Sequence, residues 1–211
     1  MRKNFVSTNY PWLPHNVDPS IETPEEYEDM VLQPLGNVQD RYERFMTGCF
    51  NRYEVEGKGY LCNESEEARI DRINEQPESM LYFTEDGFSH FEVPKHLASL
   101  LKNFWDANSD KMQLETSWPE GDTHANHWAS PTYLLPLAQE NLPGGGYALD
   151  QHVINEVRAV LEEWTGQRLV ETGIYGIRVY TSGSILAPHL ESHPYIASAI
   201  ISVAQDLDES W

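Results

Sequence analysis

The sequence predicts an α+β fold, on two kinds of pattern and one contrast between the halves of the chain. Apolar residues recur at helical spacing in three places: Val38, Tyr42, Phe45, Met46 and Cys49; Leu97, Leu100, Leu101, Phe104 and Trp105; and Val153, Val157, Val160, Leu161 and Trp164. Runs rich in β-branched and aromatic residues stand at 80–93, 126–137, 174–181 and 195–204. The strand-like runs all fall after residue 79, whereas the first third reads as helical and polar.

Residues 1–22 are polar and proline-rich, which favours an extended chain. "TPEEYEDM" reads as a helix start, with Thr23 as N-cap, Pro24 at the first helical position and Glu26 closing a capping box. A second helix follows Pro34 and Gly36. Residues 63–78 are acidic and weakly periodic, a solvated helix or a loop. "MLYFTEDGFSHFEV" reads as a hairpin about "TEDG", and Pro94 opens the next helix. "NLPGGG" (141–146) is a turn; no Lys-Ser/Thr follows it, so it is not a phosphate-binding P-loop. Gly166 stops the helix over 148–165. The division expected is an extended and helical arm over 1–79 and a domain over 80–211.

Composition narrows the function classes. Lys+Arg is 14 against Asp+Glu 34, a formal net charge of −20. Such a chain repels phosphate backbones and anionic lipid, which argues against nucleic-acid and membrane-surface binding. No apolar run is long enough to span a bilayer and the start has no apolar signal core, so an intracellular, cytoplasmic location is expected. Cys49 and Cys62 form no CxxC pair and read as reduced thiols. No GxSxG elbow and no HExxH motif is present.

The candidate chemistry lies in "YGIRVYTSGSILAPHLESHPYIASAII", residues 175–201. His189 and Glu191 are two residues apart. On a strand such residues share a face at about 6.5–7 Å between Cα atoms, so an imidazole and a carboxylate can converge on one ion. A further histidine would complete the facial arrangement that leaves positions open for a cosubstrate and dioxygen. His193 is at i+4, ~13 Å away on a straight strand, too far to share the ion. His124 and His127 in "HANH" have helical metal spacing in a context that reads as strand or loop. His152 falls on the solvent side of its helix, and His15, His90 and His96 have no evident partner in sequence.

Arg178, Tyr180, Gly183, Pro188, His189 and the carboxylate at Glu191 stand in a spacing that resembles the prolyl 4-hydroxylase-like iron(II)/2-oxoglutarate dioxygenases. The resemblance covers roughly 80–211, and the 175–211 portion carries it. It implies that His189 is the first iron ligand, that Glu191 takes the place of the usual aspartate, and that Tyr180 contacts 2-oxoglutarate; an interior sheet tyrosine would look the same. Glu191 argues against halogenase chemistry, which needs that position vacated for halide. The family's distal histidine and its basic residue for 2-oxoglutarate lie on later strands, beyond the residues of this chain.

The fold implied is a set of helices packed on a partial double-stranded β-helix, a jelly-roll-like antiparallel sheet with an open edge that favours self-association. The cofactors implied are Fe(II), 2-oxoglutarate as cosubstrate and ascorbate as an accessory reductant. The substrate would be a prolyl residue of a protein or a small molecule. The alternative is a truncated or degenerate relative that catalyses nothing and serves as a binding or interaction module.

Overall fold

In a computed structural model, residues 38–80, 83–84, 87–191 and 195–207 are described. The expected helix start at Thr23, His15 and His193 lie outside these residues. The described residues form an α+β architecture, with four α-helices and a three-stranded antiparallel sheet among them. The helices are α1 (Val38–Glu54), α2 (Tyr60–Ser79), α3 (Lys95–Asn108) and α4 (Tyr147–Thr165). The strands are β1 (Gln113–Leu114), β2 (Thr132–Leu135) and β3 (Ile177–Tyr180). Among the described residues no helix is long and apolar enough to cross a membrane. The chain folds into two compact units, each made of several stretches of sequence.

The first unit contains α1, α2 and the segments 116–131 and 181–191. The apolar stripe of α1 turns inward, burying Phe45, Cys49 and Tyr53. α1 ends at a turn whose Gly57 adopts φ +70, where a side chain would be strained. α2 then returns alongside it. Cys49 of α1 and Cys62 of α2 form a disulfide with Cα atoms 6.1 Å apart, inside the range that a bridge spans. This corrects the expectation of reduced thiols. The two cysteines are brought together by the helical turn-back, which their spacing in sequence does not reveal, and they lend no support to a reducing compartment.

α2 is a full helix with a buried face, not a solvated segment. Its inner face holds Cys62, Glu66, Arg69 and Ile73, all buried. Two of those four are charged, and that is why the apolar periodicity looked weak. Arg69 Nη2 lies 2.6 Å from Glu66 Oε1 and Arg69 Nε lies 3.0 Å from Glu66 Oε2, a two-pronged ion pair with side chains 1% and 6% exposed. Tyr42 of α1 donates its hydroxyl to Glu66 Oε1 at 3.1 Å. Burial and the Glu66 carboxylate together push the Tyr42 phenol up to about 12. Arg69 Nη1 reaches further and donates to the Pro188 carbonyl.

The second unit contains α3, β1, β2, α4, β3 and the segment 195–207. Leu97, Leu101 and Phe104 of α3 and Leu149 and Val153 of α4 form one core with Leu135, Leu137 and Leu142. Gly166, at φ 65, closes α4 in the left-handed conformation that the sequence predicts. In the sheet, Thr132 pairs with Tyr180 and Leu135 with Ile177. Arg178 meets Glu115 at 2.6 Å, and Thr132 Oγ1 donates to the same carboxylate at 2.9 Å.

Three strand expectations change. Over 80–93 the described residues form no hairpin; Phe91 meets Trp164 of α4 edge-on with ring centroids 6.3 Å apart, and Phe88 is largely exposed. Residues 195–204 form no ladder: Ile201 and Val203 turn onto the core while Ile200 is 94% exposed. Alternation is a property of one segment, whereas a strand also needs a neighbour to bond to. Of 126–137, only Thr132–Leu135 is strand, because Asn126 starts a turn whose carbonyl accepts from the Ala129 and Ser130 N–H groups.

Replacing Arg69 with Met should strand the buried Glu66 carboxylate and destabilise the fold by ~3–5 kcal/mol, read from urea unfolding. The pair replacement Arg69→Met with Glu66→Leu should recover most of that loss. Converting both cysteines to Ser should cost about 3 kcal/mol, the amount expected for a loop of this size, in the same assay under non-reducing conditions.

Candidate functional site

The segments 124–126 and 185–187 of the first unit run antiparallel. Ala125 bridges Leu186, the Asn126 N–H donates to the Ile185 carbonyl at 3.2 Å, and the Ala187 N–H donates to the His124 carbonyl at 2.8 Å. The Asn126 side chain locks the register. Its Nδ2 donates to the Gly183 carbonyl at 2.9 Å and its Oδ1 accepts from the Ile185 N–H at 2.7 Å. Between those contacts the chain makes a tight turn, with the Ser184 N–H on the Thr181 carbonyl and Gly183 at φ +80. A side chain at Gly183 would be strained at this φ, and its Cβ would stand 3.1 Å from Ser130 Oγ, so the backbone conformation favours the glycine of the sequence motif.

This pairing sets His124 diagonally across from His189, and diagonal neighbours on paired strands are within reach of long side chains. The two rings meet edge to face with centroids 5.5 Å apart. His189 lies beyond the bridge in chain without a ladder, so the His-x-Glu triplet is not on a strand as the sequence suggests. Its two side chains nevertheless face each other, with His189 Nε2 3.9 Å from Glu191 Oε1. α2 holds this stretch at both ends. Arg69 donates to the Pro188 carbonyl, and about two turns along the same helix Gln76 Nε2 donates to the Glu191 carbonyl at 2.5 Å.

The hydrogen bonds assign the imidazole protons. His189 Nδ1 is 2.7 Å from the Ala187 carbonyl, which can only accept, so Nδ1 carries the proton. In the neutral ring the lone pair is then on Nε2, facing Glu191. His124 Nδ1 is 3.0 Å from Asp122 Oδ1, and the same oxygen accepts the His124 backbone N–H at 2.7 Å. Burial raises the Asp122 carboxyl, but the hydrogen bonds and charge of His124 outweigh it and hold the group below its ordinary value. Asp122 is therefore ionised at neutral pH and fixes the His124 ring. Orientation of an imidazole through its other nitrogen is how proteins prepare histidine for a metal.

The result is two oriented imidazoles and a carboxylate, the donor types of a divalent transition-metal centre. His124, His189 and Glu191 do not converge so closely that an ion could bind all three without side-chain movement. Glu191 is the adjustable member, 54% exposed at its side chain. His127, the other histidine of "HANH", is used differently: it stacks on Trp118 with planes 6° apart and touches Tyr53 and Trp128. Asp122 and His124 were the residues that sequence reasoning missed as a pair. The signal was "DTH", an Asx-type spacing in which a carboxylate reaches the N–H two residues on.

Tyr180, the residue assigned to 2-oxoglutarate by resemblance, belongs to the second unit. It pairs with Thr132 at the end of β3 and is half-buried. Compared with known proteins, the chain matches no family model, and neither a curated protein nor a solved structure matches it significantly.

The depressed Asp122 carboxyl has a sign that can be checked. A carboxylate held below its unfolded value adds stability above that value and loses it as pH falls through the folded one. Asp122→Asn should lower the urea midpoint at pH ~7, and the gap to the parent should close on acidification below pH ~4.

Proposed function

We propose that the chain is an iron(II)/2-oxoglutarate-dependent hydroxylase of prolyl 4-hydroxylase type in which His189 and Glu191 hold the iron. The observation that supports it is the contact between them: a histidine whose proton is tied up at Nδ1 presents Nε2 3.9 Å from a carboxylate oxygen. His124, oriented by Asp122, is the second imidazole beside them. When bound, iron(II) supplies dioxygen activation coupled to decarboxylation of 2-oxoglutarate to succinate, with oxidation of a substrate C–H bond. The protein's residues provide the rest. The Ala187 carbonyl holds the His189 tautomer, and Arg69 and Gln76 fix the backbone on either side.

On this proposal the three-stranded antiparallel sheet is one part of a jelly-roll-like, double-stranded β-helix. Glu in place of Asp is accommodated by rotation of an exposed side chain. A non-catalytic binding module is the second reading, favoured by one observation: Tyr195, Ile196, Ile200 and Leu207 expose apolar surface along a single segment of the second unit.

Two measurements test the enzyme. In a chain carrying His152→Ala, so that the His96, His152 and Glu156 grouping of the other unit does not contribute, titration with Co2+ followed by visible absorption should show binding that weakens by more than ~10-fold in His189→Ala and by ~10–100-fold in Asp122→Asn. Iron(II), 2-oxoglutarate and ascorbate should then yield succinate from the parent chain and not from His189→Ala. Succinate release unchanged in His189→Ala would sink the assignment of the iron to His189, and no succinate release from the parent chain would sink the enzyme and leave the binding module.

A further inference from the structure

A second His/His/Glu grouping stands in the other unit, on residues the hydroxylase proposal does not use. α3 begins directly after Pro94, so His96 sits in its first turn next to buried Leu97. On α4, His152 precedes buried Val153, and Glu156 lies one turn further on the same face. Leu97 and Val153 belong to the same core cluster. The two helices therefore pack through the immediate neighbours of these polar residues, which brings all three to the rim of the contact.

The geometry is tight. His96 Nε2 lies 3.0 Å from Glu156 Oε2, the His96 and His152 ring centroids are 6.2 Å apart, and one ligand atom from each residue falls within 4.8 Å of the others. Among the described residues this is the one group of three His, Cys, Asp or Glu to meet that limit. A tetrahedral ion with bonds of about 2.0–2.2 Å separates its donors by about 3.3–3.6 Å. The trio needs shifts of about an ångström to close, and exposed side chains make such shifts by small χ rotations. At their side chains His96 is 60% exposed and Glu156 33%, so neither is locked.

We propose that His96, His152 and Glu156 form a binding site for a borderline divalent transition-metal ion, Zn2+ being the type, that staples α3 to α4. Two neutral imidazoles and one carboxylate are a donor set such ions accept, with a fourth position left to water. Mg2+ and Ca2+ prefer all-oxygen sites and have no such set here. The net charge of −20 favours accumulation of cations around the chain. The competing account is a plain His96–Glu156 hydrogen bond between helices, with His152 a bystander.

The test is thermal unfolding and Zn2+ titration of the full chain, purified without a polyhistidine tag and carrying His189→Ala so that the other candidate centre does not contribute. At ~100 times its Kd, Zn2+ should raise the midpoint by about 5–10 °C, with one equivalent bound, and Mg2+ should not. His152→Ala and His96→Ala, each in that background, should weaken Zn2+ binding by more than ~10-fold. Glu156→Gln keeps a hydrogen-bonding partner for His96 but lacks the anionic oxygen, and should weaken binding as well. Circular dichroism checks that helix content is kept in His152→Ala, where alanine is the better helix former. A Zn2+ response undiminished by His152→Ala, or none at all in the His189→Ala chain, overturns the site.

Discussion

The first unit depends on a charge pair that water hardly touches. Glu66 and Arg69 are three residues apart on α2, on the face turned away from solvent. Isolated, either charge would be too costly to bury; together, with Tyr42 and the Pro188 carbonyl taking further hydrogen-bonding capacity, they satisfy one another. The same guanidinium that neutralises Glu66 also reaches the backbone just before His189. A packing solution inside α2 thus becomes a positioning device for the candidate centre, and Gln76 repeats the contact on the far side at Glu191. The disulfide between α1 and α2 braces the helix that carries both.

The site's second support is a short antiparallel bridge in place of an extended sheet. A single asparagine side chain imitates a strand neighbour, donating to one backbone group and accepting from another, and so fixes the register on which the His124–His189 contact depends. A slip of one residue would turn one imidazole to the opposite side. Each ring is then oriented through Nδ1, by a carbonyl in one case and by an ionised carboxylate in the other. The common theme is that groups next to the donors decide which nitrogen is available.

The two His/His/Glu groupings contrast in construction. The one around His189 is held by irregular chain and buried polar contacts, with a single exposed carboxylate free to move. The one on α3 and α4 is assembled by regular helices, whose apolar sides set the spacing of the polar residues next to them. In so acidic a chain, carboxylates alone would mark neither place. Imidazoles at defined separations do.

Much of the helical framework is legible in the residues themselves. The stripes of α1, α3 and α4, the glycine stop at Gly166 and the turn at 141–146 follow from periodicity and backbone preference, which are local. The motif from Tyr180 through Gly183 to His189 and Glu191 is likewise readable as a spacing. The inner face of α2 was hidden because a buried ion pair carries the part usually played by apolar residues. The strand-like run at 195–204 misled because alternation describes one segment, whereas a ladder requires two. The disulfide, the pairing of Asp122 with His124, the meeting of His124 with His189 and the convergence of His96 with His152 and Glu156 join residues from separate parts of the chain. They were decided by the tertiary structure, since only packing sets the distance between side chains that the sequence keeps apart.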